Sequence, residues 1–450
     1  EDRQREGYAL MARSRLAGTV TALGGVLVAC TVAPAADWPM YRGVNHDGIS
    51  TETDWTSDWG EEGPKVMWRG KVGTGYSSFV VSEGRAYTMG NGGKKGEETD
   101  TVFCFDAMTG KVLWKHSYPC ILQALYYEGG TLSTPTVDGG LVYTLSKMGD
   151  LFCLEAETGA VKWRVQVHRD LGFELPTWSL SSAPLVLGQK LILNLGSAGV
   201  AFDKKTGKVI WQNGKDVCGY ATPVPCEIDG EKCVVLGAAE HVIGVRIADG
   251  EVLWKHPFTN KHKATAADPL IRGNEVFASS GYGRGCIKIR IAGGETTPVF
   301  DNRVMSNLMS CSVLWKDQVY GFDEYALKCI DFADSREHWR KQGYGKGSLM
   351  MSADGRLIVM SDKGELLVVR ATPEKLDVMA RARVLPKGMC RTVPVLANGL
   401  IYVRNARGDV ACLDVRGAAE KTECRVMADE RVEEPLSAIA DEYARRTGSR

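Results

Sequence analysis

Short apolar runs separated by polar turns recur along the whole chain, and one longer pattern repeats within them. In VFCFDAMTGKVLWKH, from Val102 to His116, an apolar run ends in an acid, Thr-Gly follows three and four residues later, and Trp follows eight residues later. The same form recurs in LFCLEAETGAVKWRV with Trp163 and in GVAFDKKTGKVIWQN with Trp211. The motif is incomplete in two further segments: VIGVRIADGEVLWKH keeps Gly250 and Trp254, and ALKCIDFADSREHWRK keeps Asp331 and Trp339 but lacks the Gly. Short runs bounded by turn residues predict β-strands, and Thr-Gly predicts a tight hairpin turn in which Gly supplies a positive φ.

The other half of the repeat is a hydroxyl or small residue followed by an apolar strand, a turn and a second strand. Eight equivalent positions begin this half: Ser78, Thr134, Ser182, Thr222, Asp268, Ser312, Ser348 and Thr392. Their spacing averages about 45 residues, a length typical of one propeller blade. Small four-stranded sheets bury both faces by packing radially against their neighbours. The pattern therefore predicts an all-β fold, an eight-bladed β-propeller of four-stranded antiparallel blades, with a seven-bladed ring as the alternative.

The ends of the repeat region indicate how the ring closes. PKVMWRGKV, with Trp68 in the repeat position, precedes the first inner strand, whereas the last unit offers only KTECRVMA as its fourth strand. We therefore expect residues 64–70 to supply the outer strand of the last blade. The repeat tryptophans are expected to pack between blades rather than to bind a ligand, because a large aromatic side chain fills such gaps well. They are Trp68, Trp114, Trp163, Trp211, Trp254 and Trp339.

The pattern divides the chain into four stretches. They are residues 1–36 with upstream residues and a secretory signal, 37–63 as an N-terminal lead-in, 64–429 as the propeller, and 430–450 as a charged tail. The signal is indicated by MARSR, which starts at Met11, and by the apolar run that follows it. Two cleavage sites are open: LVAC would leave a lipid anchor on Cys30, and APA at Ala33–Ala35 fits ordinary cleavage. Either predicts an exported, periplasmic or similarly located protein with no further apolar run long enough to span a bilayer.

Composition narrows the possible partners and the chemistry of the cysteines. Lys and Arg together number 55, as do Asp and Glu, so the chain lacks the basic excess typical of nucleic-acid binders. Of thirteen cysteines, four occupy one repeat position before the acid and are expected to be small buried hydrophobes. Those four are Cys104, Cys153, Cys329 and Cys412. Cys226 and Cys233 flank the turn IDGEK and are the candidates for a local disulfide.

The repeat resembles that of pyrroloquinoline quinone (PQQ) enzymes and their non-enzymatic relatives, which include the BamB lipoprotein of the outer-membrane barrel assembly machinery. WPMYRGVNHDGIS at Trp38, SSGYGRG at Ser279 and YGFDEYALKCID at Tyr320 are similar to exported PQQ-binding-like propeller repeat proteins. The resemblance covers residues 38 to about 415 and implies the propeller fold. It implies less about activity, because one fold hosts many functions and the repeat residues serve packing.

Motifs for specific chemistry are sparse. A quinone-dependent alcohol dehydrogenase is expected to have adjacent bridged cysteines, and a c-type haem needs C-x-x-C-H; the sequence has neither. It also lacks a phosphate-binding G-x-x-x-x-G-K-[ST] loop, H-E-x-x-H and cysteines at zinc spacing. We therefore predict a binding or assembly module without an identifiable catalytic centre or metal site. The alternatives are a PQQ-dependent oxidoreductase, with the quinone and Ca²⁺ in the central funnel, and a sugar-binding or hydrolytic propeller.

Chain direction predicts which end of the propeller carries the site. The turns after strands one and three emerge on one end, the turn face, and are short and repetitive; the loops after strands two and four emerge on the other, the mouth face. The mouth-face loops vary in length, and loops that vary on a rigid scaffold often bind ligands. The predicted site residues are Trp178, Asp268, Tyr282, Arg284, Asp323, Tyr344, Lys346 and Arg391. They would surround a polar funnel that takes an envelope protein or a small anionic or sugar-like ligand.

Overall fold

The computed structural model describes residues 36–125, 127–386 and 388–417, and within these ranges it is all-β with no helix. Eight sheets of four antiparallel strands follow one another along the chain, and one of them carries a short additional strand. The eight-bladed propeller predicted from the repeat is therefore confirmed, and the seven-bladed alternative is wrong. The signal, both cleavage sites with Cys30, and the C-terminal tail lie outside the described residues.

In blades 1 to 7 the strands follow one another from the propeller axis outward. The first strands of blades 1 and 2, of blades 2 and 3, and of blades 6 and 7 contact one another, as expected for strands placed around the axis. Blade 1 is Val80–Ser82, Arg85–Gly92, Thr99–Asp106 and Val112–Pro119. Blade 2 is Thr136–Asp138, Leu141–Leu145, Asp150–Glu155 and Val161–Gln166. Blade 3 is Leu185–Leu187, Lys190–Leu193, Val200–Asp203 and Val209–Gln212. Blade 4 is Val224–Ile228, Glu231–Gly237, His241–Arg246 and Val252–Pro257.

The remaining blades have the same strand order. Blade 5 is Leu270–Arg272, Glu275–Ser280, Gly285–Ala292 and Glu295–Asn302. Blade 6 is Val313–Trp315, Gln318–Asp323, Ala326–Asp331 and Glu337–Gln342. Blade 7 is Ser348–Ser352, Arg356–Met360, Glu365–Arg370 and Asp377–Arg383, with Ile49–Ser50 added at its inner edge. Blade 8 is Val395–Ala397, Leu400–Arg404 and Asp409–Asp414, completed by Lys65–Lys71.

Blade 8 closes the ring with a strand from the other end of the repeat region. Lys65–Lys71 pairs antiparallel with Asp409–Asp414, as the surplus outer strand predicted. Arg404 of blade 8 is fully buried, and its guanidinium donates to the carbonyl oxygens of Gly75, Ser77 and Met89 in blade 1, at 2.9, 2.8 and 2.6 Å. Strand pairing and this buried hydrogen-bonded group together join the first and last blades.

The repeat motif connects several blades to the blade that follows. In blade 1 the Asp106 carboxylate accepts hydrogen bonds from the backbone N–H and hydroxyl of Thr109 at 2.8 and 2.7 Å, which shapes the turn before Gly110. Gly110 has a φ of 71°, and a Cβ there would lie 2.5 Å from the ring of Trp68 in blade 8. The motif glycine therefore serves twice, since it allows the turn and lets the tryptophan of the preceding blade lie against it.

Five of the six repeat tryptophans donate their indole N–H to a backbone carbonyl of the next blade. The donor–acceptor pairs are Trp68 to Ala107, Trp114 to Ala156, Trp163 to Lys204, Trp211 to Ile247 and Trp339 to Thr372, at 2.9 to 3.1 Å. A register shift in the outer strand precedes each of these residues. Trp254 differs: its ring lies over Gly244 of its own blade, and its indole N–H has no partner among the described residues.

Candidate functional site

The N-terminal lead-in enters the central channel instead of lying on the surface. Trp38 exchanges two backbone hydrogen bonds with the inner strand of blade 1, each 2.9 Å long, and the Pro39 carbonyl accepts one from the inner strand of blade 2. After the chain reverses, Ile49–Ser50 runs parallel to the inner strand of blade 7. We call residues 37–52 the plug, because they contact inner strands on several sides of the channel.

Arg42 fixes the plug at the level where the inner strands begin. Its side chain is buried, donates to the Ser312 carbonyl at 3.0 Å, and has its Nε 3.8 Å from a carboxylate oxygen of Asp268. The neighbouring Tyr41 hydroxyl lies 3.6 Å from the Cys311 sulfur. Burial raises the pKa of Asp268 to about 6, although the positive charge of Arg42 opposes this shift. Asp268, predicted at an open polar funnel, is thus only 5% exposed and faces the plug.

The mouth-face loops bring four aromatic side chains together. The rings of Trp178 and Tyr282 are stacked, with centroids 5.9 Å apart and planes 9° from parallel. His262 stands edge-on to both, 5.6 Å from Trp178 and 4.5 Å from Tyr282, and Tyr220 lies 6.1 Å from Trp178. We call these four residues the aromatic cluster. Trp178 and Tyr282 were predicted as site residues, whereas His262 and Tyr220 were not among the predicted site residues.

Two further contacts hold the cluster in place. The Tyr220 hydroxyl accepts a hydrogen bond from the backbone N–H of Trp178 at 3.1 Å, which ties the long insertion after blade 2 to blade 4. Tyr282 has a φ of 59°, and its backbone N–H donates to the Glu324 carboxylate at 3.0 Å. A tyrosine in this conformation is unfavourable and persists when its surroundings fix it. These contacts fix the backbone of Tyr282, whose ring lies beside Trp178 and His262 and which is 37% exposed as a residue.

Arg284 and Asp323, two of the predicted charged residues, are engaged within the protein. The Arg284 guanidinium makes two hydrogen bonds to Asp301, at 2.7 and 3.0 Å, and lies 4.3 Å above the ring of Phe258. Asp323 lies 2.9 Å from the ammonium of Lys328 and accepts a backbone hydrogen bond at 3.0 Å. Both residues therefore support the loops around the mouth face.

The other predicted residues are distributed around the same face. Tyr344 is buried, and its backbone carbonyl accepts a hydrogen bond from Asp362. The Lys346 ammonium lies 4.8 Å above the ring of Tyr325, which is 56% exposed. Arg391 contacts the Met309 sulfur at 3.8 Å, and its Nε has no partner among the described residues. The structure thus brings Trp178 and Tyr282 into contact and leaves Lys346 and Arg391 at other points of the face.

Among the loops that connect the strands, those of the mouth face carry the exposed large apolar side chains. On the loops, the described examples are Ile121, Leu125, Tyr282, Met309, Tyr325 and Met389, and every one belongs to the mouth face. The others lie on outer strands, apart from Val44 in the plug. Among the described residues the turns of the turn face carry none. A cluster of exposed apolar side chains is typical of an interaction surface.

The residues of the central channel do not fit a quinone with a divalent cation. The plug enters the space that the funnel was expected to offer, and Asp268 is ion-paired with Arg42. In the part of the chain that the structure describes, no group of three or more His, Cys, Asp or Glu residues is placed to hold a metal ion. We therefore derive no chemistry through a quinone.

Comparison with known proteins identifies the family. A sequence profile described as outer membrane protein assembly factor BamB matches residues 50–212 and 98–341, which together exceed half of the chain. The chain belongs to the BamB family. The BamB of Burkholderia pseudomallei is 26% identical over 226 residues, which are 47% of this chain and 53% of that protein. This BamB-family chain therefore matches about half the length of that relative.

Solved structures support the fold of this BamB-family protein. BamB from Moraxella catarrhalis superposes with a TM-score of 0.58 at 16% identity, covering 78% of this chain and 97% of that one. A quinohemoprotein alcohol dehydrogenase from Pseudomonas putida HK5 gives 0.59 at 14% identity, covering 89% and 82%. At such identities the likeness concerns the fold alone, and assembly factors and enzymes share it. No helix in the described ranges has the length and hydropathy needed to span a bilayer.

Proposed function

We propose that this chain is an exported binding and assembly module that docks an envelope protein on its mouth face. The observation that carries the proposal is the one-sided distribution of exposed apolar loop residues, all of them on that face. Membership of a family described as outer membrane protein assembly factors supports the envelope location and the class of partner. The secretory signal predicted from the sequence agrees with that location.

The aromatic cluster is proposed as the centre of the docking surface. Rigid aromatic side chains lose little conformational entropy on binding and contribute large contact areas, so they are often the residues that matter most in an interface. Trp178 and Tyr282 are held in position by neighbouring loops before any partner arrives. Lys346 and Arg391 are proposed as polar contacts around this centre. Arg284 is proposed to act indirectly, because Asp301 already binds its guanidinium.

The test is site-specific photo-crosslinking in cells that produce the protein. A benzophenone amino acid at Tyr325 samples the mouth face, and the same group at Lys205 or Leu113 samples the turn face and an outer strand. We expect a protein adduct of defined mass from Tyr325, with weak or absent adducts from the other two positions. Equal adducts from Lys205 would contradict docking at the mouth face.

A matched pair of double variants then tests the centre of the surface. Trp178→Ala with Tyr282→Ala is expected to reduce the Tyr325 adduct at least tenfold while the melting temperature stays within a few degrees of wild type. Val112→Ala with Leu113→Ala removes exposed apolar area from an outer strand and serves as the control, with an unchanged adduct. If both double variants crosslink like the wild type, the aromatic cluster is not part of the interface.

The alternative function, a quinone-dependent oxidoreductase, is favoured by the likeness to quinohemoprotein dehydrogenases at the level of fold. The plug in the channel and the ion pair between Arg42 and Asp268 speak against it. Titration of the purified protein with PQQ and Ca²⁺, followed by absorbance and alcohol-dependent dye reduction, distinguishes the two. Stoichiometric quinone binding with turnover would replace the assembly proposal, and we expect neither.

A further inference from the structure

Cys226 and Cys233 face each other across a hairpin at the turn face of blade 4. Cys226 lies on the inner strand and Cys233 on the second strand, and their Cα atoms are paired in register. Their sulfur atoms are 3.3 Å apart, and both are free thiols. Bond formation therefore requires a small approach of two groups that already touch, since a disulfide has an S–S distance of about 2.05 Å.

The hairpin holds the two sulfurs opposite each other. Asp229 and Gly230 form its two-residue turn with φ values of 53° and 78°, the geometry that fixes register in tight hairpins. The Asp229 carboxylate also accepts a hydrogen bond from the backbone N–H of Gly293 in blade 5, at 2.8 Å. Because the turn is anchored to the next blade, the strands cannot slip and separate the thiols.

We propose that Cys226 and Cys233 form a reversible disulfide by exchange with a small-molecule or protein disulfide. Cys226 is the partly exposed member of the pair, so its sulfur, once it has lost its proton, can attack the oxidant, form a mixed disulfide and release one thiol. The Cys233 sulfur then attacks Cys226, which closes the internal bond and releases the second thiol. The two protein thiols lose two protons and two electrons, and the disulfide of the oxidant gains both and becomes two thiols.

Strand pairing and exposure bear on how the bond closes and reopens. In a hairpin with a two-residue turn, paired residues alternate between hydrogen-bonded and non-hydrogen-bonded pairs. The pair next to the turn, Ile228 and Glu231, is hydrogen-bonded. Cys226 and Cys233 are then a hydrogen-bonded pair, and Pro225, which has no N–H, falls in the next, non-hydrogen-bonded pair. Hydrogen-bonded pairs have Cα atoms about 5.5 Å apart, a separation that a disulfide spans. Cys226 is partly exposed, so a thiolate from solution can reach the closed bond, and exposed disulfides are among those that are readily reduced.

Peptide mapping tests the bond directly, because trypsin cuts after Lys232, between the two cysteines. The folded protein is incubated with oxidised glutathione, alkylated, denatured and digested. We expect peptides 216–232 and 233–246 to be covalently joined, and to separate after reduction. Cys226→Ser should abolish the link, and Cys218→Ala, which removes the other cysteine of the first peptide, should retain it. Full alkylation of both peptides, or a link that is lost in Cys218→Ala, would overturn the proposal.

A second measurement tests reversibility. The oxidised protein is equilibrated in glutathione buffers of increasing thiol content without denaturant, and the linked fraction is measured by the same mapping. We expect the link to open while the melting curve still shows a folded propeller. A link that persists in excess reduced glutathione until the protein is unfolded would mean a permanent structural bond and contradict the reversible couple.

Discussion

Replacing Trp114 with alanine tests whether the repeat tryptophans hold neighbouring blades together. The Trp114 side chain is buried, lies against the turn glycine Gly159 of blade 2, and donates to the Ala156 carbonyl at 2.9 Å. Truncating a large buried aromatic residue destabilises a protein by about 3 to 5 kcal/mol, and the lost hydrogen bond accounts for about 1 kcal/mol of this loss. We therefore expect the free energy of unfolding to fall by about 4 kcal/mol.

The size of the protein sets the thermal shift that corresponds to this loss. About 380 residues are described, and unfolding entropy is about 2.1 cal/mol/K per residue, or roughly 0.8 kcal/mol/K in total. A loss of about 4 kcal/mol then lowers the melting temperature by about 5 °C. Calorimetry and urea unfolding followed by tryptophan fluorescence measure both quantities. Leu113→Ala is the control, because Leu113 directly precedes Trp114 on the same strand and is 43% exposed. We expect this control to change the free energy of unfolding by less than about 1 kcal/mol.

A double-mutant cycle links the loss to the contact between blades. Gly159→Ala places a Cβ 2.6 Å from the Trp114 ring at a φ of 74°, so in the wild type it causes both a clash and backbone strain. In the Trp114→Ala background only the strain remains. We expect a coupling of about 1 kcal/mol or more between the two substitutions. Additive effects, or a melting temperature unchanged by Trp114→Ala, would refute the interblade role.

Two further predictions concern closure of the ring and the plug. Deleting residues through Lys71 removes the outer strand of blade 8 and is expected to lower the melting temperature far more than deleting residues 430–450; equal melting temperatures would contradict the closure. For Asp268, burial raises the folded-state pKa to about 6 from a usual value of 3.8, so its protonation stabilises the fold below about pH 4 and this contribution is lost as the pH rises through 6. The wild type should therefore lose on the order of 3 kcal/mol of unfolding free energy between about pH 4 and pH 6, and Asp268→Asn should not show this loss. Urea unfolding at each pH measures the difference. Identical pH profiles of variant and wild type would show that Asp268 does not titrate in this range.

The fold was predictable because its information is local and repeated. The acid, Thr-Gly and Trp of each motif lie within nine residues, and their roles in turn and strand do not depend on distant sequence. The surplus strand around Trp68 likewise predicted the closure, because a ring of equal blades leaves one outer strand to be supplied from the start of the repeats. The function of the acid and the second role of the glycine emerged only in the structure, since both depend on contacts within the turn and with the next blade.

The candidate site was predictable only in part. Chain direction identified the mouth face, and residues outside the repeat, such as Trp178 and Tyr282, were singled out on it. Their stacking on each other, and the presence of Tyr220 and His262 beside them, depend on how four separate loops approach in space. The ion pairs that Arg284 and Asp323 make within the protein were not predictable, because the sequence does not reveal which neighbours approach them in space.

The sequence by itself determined the number of blades, the order of strands and the position of each turn, because strand periodicity and turn chemistry are properties of short segments. The tertiary structure alone decided what fills the central channel. Residues 37–52 carry no repeat, so no periodic pattern indicated where they would lie. These residues lie beside Asp268 and the inner strands because a ring of eight blades leaves a central channel wide enough to hold them. That channel exists only after the blades have closed into a ring.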